Sequence, residues 1–115
     1  MEIFIPKWHP TTLNQLIGYK WWTIAKLKKG DKKFVSHYTR KLPKARVKRE
    51  LHLEIVMKKN QKKADPDAYF KSLNDALTHA GMLVDDSDKW VKINPPTYSR
   101  DWDNWGTRIT LTDIE

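Results

Sequence analysis

The segment VKRELHLEIVM, residues 47–57, alternates between apolar and polar side chains. Its apolar face consists of Val47, Leu51, Leu53, Ile55 and Met57, and its polar face of Lys48, Glu50, His52 and Glu54. Arg49 interrupts the apolar set. Because successive side chains of a strand point to opposite faces of the sheet, this pattern predicts a half-buried β-strand.

The flanking patterns predict the order β-α-β-α-β-β. Strands are expected at EIFIP (2–6), at KWVKIN (89–94) before Pro95-Pro96, and at TRITLTDI (107–114). A capping box at Thr12 and Gln15 predicts a helix that starts between Thr11 and Asn14. The helical pattern is interrupted at Gly30-Asp31 and runs on to Pro43, as one long broken helix or two consecutive ones. A second helix is expected over residues 65–80, ended by Gly81. TYSRDWDNWG (97–106) is interpreted as an aromatic turn. The fold class is α+β, a mixed sheet with helices packed on it, in a single domain over residues 1–115.

The tryptophans are interpreted in two groups. Trp21 and Trp90 are expected in the core. Trp8, Trp102 and Trp105 are candidates for base stacking or an interface, with a core or dimer contact the safer interpretation.

Composition excludes several classes of protein. The 115-residue chain has no cysteine, so disulfides and zinc–thiolate sites are excluded. No apolar run is long enough to cross a bilayer, and MEIFIPKWHP lacks the pattern of a signal peptide. We expect a cytoplasmic protein with no membrane partner and no small-molecule cofactor.

Charge is divided unevenly along the chain. Residues 1–63 hold 17 Lys/Arg and 4 Asp/Glu, a balance of +13, whereas residues 64–115 hold 5 and 10, a balance of −5. The basic half favours a polyanionic partner, although a solvated helix face explains any single lysine equally well. The candidate DNA-binding residues are Lys28, Lys29, Lys32 and Lys33 on the first helix and Lys58, Lys59, Lys62 and Lys63 in the loop after the strand.

The acids concentrate around the second helix. Asp65 and Asp67 lie in its first turn, and Asp85, Asp86 and Asp88 follow it. Helix capping and the helix dipole explain the first two without any further function. If the later loop returns toward the helix start, Asp65, Asp67 and one of Asp85 or Asp86 form an oxygen cluster suited to Mg²⁺ or Mn²⁺.

The second helix carries two predicted stripes. The buried stripe is Tyr69, Leu73, Ala76, Leu77 and Ala80, and the polar stripe is Asp67, Lys71, Asn74 and Thr78. Lys71 lies one turn from Asp67, which fits either an ordinary ion pair or an ammonium that stabilises phosphate charge.

The segment DPDAYFKSLNDALTHAGMLVDDSDKW, residues 65–90, resembles the signature of the RusA family of Holliday-junction resolvases. That signature runs Asp-x-Asp-Asn-x-x-Lys, then a helix ending in DAL and AG, then a paired Asp-Asp. IPKWHPTTLNQL, residues 5–16, is similar to the opening strand and turn of the family. Two positions depart from the pattern: Ala68 stands where the family usually has Asn, and Pro66 where it usually has Leu.

The resemblance implies a homodimeric, magnesium-dependent endonuclease, with Mn²⁺ as the other candidate metal. It would cut four-way DNA junctions in recombination and repair, and such proteins are often carried by phages. The metal-binding catalytic aspartates carry over to Asp65, Asp67 and Asp86, and the essential lysine to Lys71. Asp85 has a secondary role, and Asn74 is a further secondary candidate.

Two alternatives stay open. The chain could be a DNA-binding accessory protein of recombination that keeps the fold without the chemistry, for which the departure at Ala68 is the motivating feature. It could also be an α+β scaffold that does not bind nucleic acid, in which the acids only cap and solvate.

Overall fold

A computed structural model describes residues 1–12, 20–61 and 66–114, with the backbone alone at residues 66 and 67. The strands are β1 (Glu2–Pro6), β2 (Arg49–Met57), β3 (Val91–Ile93), β4 (Thr97–Arg100) and β5 (Gly106–Asp113). The helices are α1 (Trp21–Thr39) and α2 (Phe70–His79), and a 3₁₀ turn (Pro66–Tyr69) leads into α2. The predicted α+β class with a mixed sheet is confirmed, with one more strand than expected. The predicted helix start at residues 11–14 falls largely outside the described residues.

β2 is the central strand of the sheet. It pairs antiparallel with β5, which in turn pairs antiparallel with β1, and its other edge pairs parallel with β3 and β4. β3 lies beside Arg49–Leu51 and β4 beside Glu54–Met57. The interpretation of residues 97–106 as a turn was therefore wrong for its first four residues. Pro95 and Pro96, which have no N–H to donate, interrupt one edge strand and do not end it.

The core lies on the face of the sheet that carries the two helices. It joins Leu51, Leu53 and Ile55 of β2 to the apolar face of α2 and to Val35 of α1. The predicted buried stripe of α2 is confirmed, since its five members are all at least nine-tenths buried. Arg49 also points inward: its guanidinium donates to Asp113 Oδ1, to the carbonyl oxygen of Met82 and to that of Pro43. Val47 lies before the strand and is 37% exposed, so its assignment to the inward face was wrong.

α2 ends just before Gly81, as the sequence predicts. Gly81 has φ of 79°, its N–H donates to Thr78, and the Met82 N–H donates to Leu77, which is the double hydrogen bond of a Schellman motif. Lys44 Nζ donates to the Ala80 carbonyl oxygen at 2.7 Å. These bonds satisfy the last carbonyl groups of the helix and direct the chain into the loop that carries Asp85 and Asp86.

The predicted interruption at Gly30-Asp31 was wrong, because α1 continues through both residues. Asp31 is 4% exposed and accepts three hydrogen bonds, from Trp8 Nε1 at 3.2 Å, the Thr11 N–H at 2.9 Å and Ser72 Oγ at 2.6 Å. These bonds join the N-terminal turn, α1 and α2. Trp21 was also misassigned: it is 76% exposed, whereas Trp8 is buried.

No helix among the described residues combines the length and hydropathy needed to cross a bilayer.

Replacing Asp31 with Asn should lower the free energy of unfolding by about 1–3 kcal/mol, because an amide has one acceptor oxygen where three donors converge, and one donor then faces an NH₂ group. Urea unfolding curves of the variant and the wild type measure the difference. Asp103→Asn, at an exposed position, is the matched control and should stay within about 0.5 kcal/mol of the wild type. Equal losses in the two variants would contradict the role assigned to Asp31.

Candidate active site

The acidic segment before α2 lies mostly outside the described residues. Lys62, Lys63 and Asp65 fall in the gap between residues 61 and 66, and Asp67 is described by its backbone within the 3₁₀ turn. The meeting of Asp65, Asp67 and Asp86 therefore stays a prediction. Among the described residues, no three His, Asp or Glu side chains are grouped to hold a metal ion.

Lys71 and Asn74 differ in exposure, although they are only three residues apart on α2. Lys71 is exposed in the first turn of α2. Asn74 is 7% exposed, so the predicted polar stripe was wrong at this position. The reason is geometric: three residues turn a helix by about 300°, so Asn74 lies only about 60° from the buried Leu77.

Asn74 has an unsatisfied side-chain oxygen. Its Oδ1 has no hydrogen-bond partner among the described residues, and neither has Oγ1 of Thr78, one turn later. Buried polar atoms without partners are rare because each costs about 1–3 kcal/mol. An amide oxygen of this kind can ligate a hard cation or accept a hydrogen bond from its bound water, and the role of Asn74 as a secondary site residue stays a prediction.

Asp85 and Asp86 lie in the loop between α2 and β3, and both are exposed. Asp85 Oδ1 accepts a hydrogen bond from the Asp86 N–H at 2.9 Å, so one carboxylate holds the backbone of the other. The loop is entered from the C-terminal end of α2 and leads to β3, beside the first residue of β2. Residues 65–67 are instead reached from the last residue of β2, so the two acidic segments join opposite ends of α2.

One cleft, which we call the aromatic cleft, adjoins the start of α2. It has a volume of about 710 Å³ and is lined by the N-terminal turn at Trp8 and His9, the loop at Lys58 and Gln61, Tyr69, and Trp105 before β5. Gln61 and Tyr69 flank the acidic segment along the chain. Lys58 and Trp105 were separate candidates in the sequence, and their contact was not predicted. The density of aromatic residues in residues 97–106 was the one sequence feature that pointed to such a site.

His9 forms a neutral wall of this cleft. Its Nε2 hydrogen-bonds the Val56 carbonyl oxygen at 3.0 Å, and its Nδ1 contacts Gln61 Nε2 at 3.0 Å, which fits Nε2 carrying the proton. Burial lowers the pKa of His9, and the nearby Lys58 adds to this, against the opposing effect of hydrogen bonds to the backbone of Val56 and Gly106.

A second cleft, which we call the basic groove, lies between α1 and α2 and has a volume of about 600 Å³. Its described lining is Lys29, Lys32, Lys33, Ser36, His37, Arg40 and His79, without a carboxylate. Three of the four predicted lysines of α1 thus share one groove, whereas Lys28 does not line it. Arg40 and the two histidines were not predicted as site residues, because His79 reaches the groove only through the packing of α2 on α1.

The chain matches no model of a known protein family and no curated protein.

The lowered pKa of His9 makes the stability of the protein depend on pH. The unfolded chain binds a proton near the ordinary pKa of about 6.5, whereas the folded protein resists protonation until a lower pH. The contribution of His9 to stability is therefore complete above the ordinary pKa and declines as the pH falls toward the pKa of the folded state. Urea unfolding at several pH values between 7.5 and 5.5 should show the stability difference between wild type and His9→Gln shrinking toward acid pH.

His52→Gln, a change on the outer face of the sheet, is the control for loss of a histidine as such. This variant should keep the pH-dependent part of the free energy of unfolding that is assigned to His9. A difference between wild type and His9→Gln that stays constant across this range would contradict the assignment.

Proposed function

We propose that the protein is a RusA-like, structure-selective, magnesium-dependent endodeoxyribonuclease that resolves four-way DNA junctions by paired nicks. The observation that carries the proposal is the spacing of Asp65, Asp67 and Lys71 at the start of α2, followed by Asp85-Asp86 after its end. In addition, the first 63 residues of the chain carry a net charge of +13.

The chemistry of the donor set supports a hard divalent cation. Asp65, Asp67 and Asp86 would hold Mg²⁺, or Mn²⁺, through carboxylate oxygens, and Asp85 would keep the Asp86 backbone in place. When bound, such a cation polarises a phosphodiester and lowers the pKa of a water molecule. The exposed ammonium group of Lys71 would donate to a phosphate oxygen that gains negative charge as the P–O bond breaks.

The basic groove would bind the DNA backbone away from the cut. The lysines of the groove and Arg40 lie on one side of α1. They would bind phosphate groups without reading base sequence. Lys58, Lys59, Lys62 and Lys63 would bind the backbone beside the acidic segment. Selectivity for a junction then comes from shape, and a homodimer with two-fold symmetry would present paired sites to a two-fold symmetric junction.

One observation favours the accessory-protein alternative. Ala68, which replaces the asparagine usual in the family, is 4% exposed. Alanine has no side-chain amide, so it cannot make the hydrogen bonds by which an asparagine would orient nearby carboxylates. In this alternative the chain binds junctions and does not cut them.

Cleavage of a labelled synthetic four-way junction decides between the two. The wild type should nick the junction in Mg²⁺ and leave a linear duplex of the same sequence intact. Asp67→Asn should retain junction binding and lose detectable cleavage, and Lys71→Ala should lower the rate about 10²–10³-fold. Asp103→Asn is the matched control and should cut as the wild type does.

Junction binding by the wild type without any product in Mg²⁺ or Mn²⁺ would establish the accessory alternative. Cleavage by Asp67→Asn at the wild-type rate would eliminate the proposed site.

Binding by the basic groove should be salt-dependent. Lys33→Ala and Arg40→Ala should each weaken junction and duplex binding alike, and each should reduce the slope of log K against log salt by about 0.9. Fluorescence anisotropy titrations at several salt concentrations measure the slope. Lys92→Ala is the control, because Lys92 pairs with Glu50 on the outer face of the sheet. An equal change of slope in Lys92→Ala would rule out the groove as the specific track.

A further inference from the structure

The aromatic cleft has the size and lining of a nucleotide site. Its volume of about 710 Å³ lies within the range of roughly 300–1,000 Å³ typical of small-ligand sites. Its walls combine a half-buried indole, an uncharged imidazole and the exposed ammonium group of Lys58. Its described lining includes two lysines, Lys58 from the loop of residues 58–61 and Lys7 from the N-terminal turn, so a ligand would meet both aromatic rings and cations.

The loop that carries the cations is held rigidly. The guanidinium group of Arg100 donates to the carbonyl oxygens of Lys58, Lys59 and Gln61, at distances between 2.9 and 3.0 Å. Gln61 Oε1 accepts from the Lys58 N–H at 3.1 Å. A loop fixed in advance loses little conformational entropy when a ligand binds, so more of the contact energy appears as affinity.

The same residues fix the aromatic wall. His9 is bound to the Val56 carbonyl oxygen and to Gln61, and its ring meets Trp105 edge-on, with centroids 5.2 Å apart. The Trp105 carbonyl oxygen accepts a hydrogen bond from the Lys7 N–H at 2.9 Å. The indole is therefore held by the His9 ring and by its own backbone, whereas one of its faces is covered by an exposed side chain.

That side chain is Lys58, whose Nζ lies 4.2 Å from the centroid of the Trp105 ring. The neighbouring pair repeats the arrangement, with Lys59 Nζ at 4.2 Å from the ring centroid of Trp102. A cation–π contact at an exposed site contributes about 0.5–1 kcal/mol, whereas a nucleobase stacked on an aromatic ring contributes about 1–3 kcal/mol. Exchange of the ammonium for a base would thus be favourable, and it would release the ammonium to pair with a phosphate.

We propose that the aromatic cleft seats an unpaired DNA base, stacked on Trp105, with Lys58 turned onto its phosphate. The proposal rests on the proposed function for the identity of the polymer, and it deepens that function by naming the feature recognised: unpaired nucleotides at the branch point. Gln61 and Tyr69 line this cleft, and along the chain they flank the segment that carries Asp65 and Asp67.

The test uses the full chain in EDTA, so that no strand is cut. Anisotropy titrations compare a labelled twelve-residue oligothymidylate with a labelled blunt duplex. Trp105→Ala should weaken binding of the single strand about tenfold or more and change duplex binding little. Trp22→Ala is the matched control: Trp22 is exposed and, like Trp105, has a lysine over its ring, with Lys20 Nζ at 4.9 Å, but it does not line the cleft. Its affinities should equal those of the wild type.

A second readout does not depend on Trp105→Ala folding normally. Stacking of thymine on an indole quenches its fluorescence, so the single strand should quench the wild type and Trp22→Phe, and quench Trp105→Phe much less. The proposal is overturned if Trp105→Phe is quenched as strongly as the wild type. It is also overturned if a folded Trp105→Ala binds the single strand as the wild type does, or loses duplex affinity equally.

The outcome is independent of cleavage. Quenching that depends on Trp105, in a protein that never cuts a junction, leaves the cleft assignment standing and removes the nuclease. Cleavage without such quenching does the reverse.

Discussion

The arrangement of both clefts depends on one buried carboxylate. Asp31 accepts hydrogen bonds from the N-terminal turn through Trp8 and Thr11 and from α2 through Ser72. A buried charge is tolerated only when such donors replace its water. Because these donors come from two separate parts of the chain and Asp31 itself belongs to α1, satisfying Asp31 brings three parts together. The turn that it fixes forms a wall of the aromatic cleft, and the helix pair that it joins forms the basic groove.

Arg49 performs the complementary task at the other end of β2. Its guanidinium, 1% exposed, joins β5, the segment before β2 and the loop after α2 through Asp113, Pro43 and Met82. An arginine fits this position because its planar group offers five donors in a fixed arrangement. The loop with Asp85 and Asp86 therefore leaves from an anchored residue, so its exposed acids project from a rigid base.

Local patterns predicted what depends on local physics. The alternation of β2, the buried stripe of α2 and the Gly81 terminus are each set by side chains within a few residues. The failures have a different cause. Gly30-Asp31 reads as a break because both residues disfavour helices, and only the distant donors of Trp8, Thr11 and Ser72 show why Asp31 stays helical. Likewise, β4 forms because β2 offers it an edge, and the meeting of Lys58 with Trp105 joins segments almost fifty residues apart.

The continuity of α1 through Gly30 also bears on how DNA would lie in the basic groove. Lys29, Lys32, Lys33 and Arg40 span eleven residue steps, or about 16 Å of helix axis at 1.5 Å per residue. One strand of B-DNA places a phosphate every 3.4 Å or so of its axis, so this length faces about five phosphates. Four cations on one helix side are thus close in number to the charges opposite them. A helix broken at Gly30 would turn Lys29 away from the other three cations. The buried Asp31 therefore sets the length over which the groove is positively charged, as well as the position of its walls.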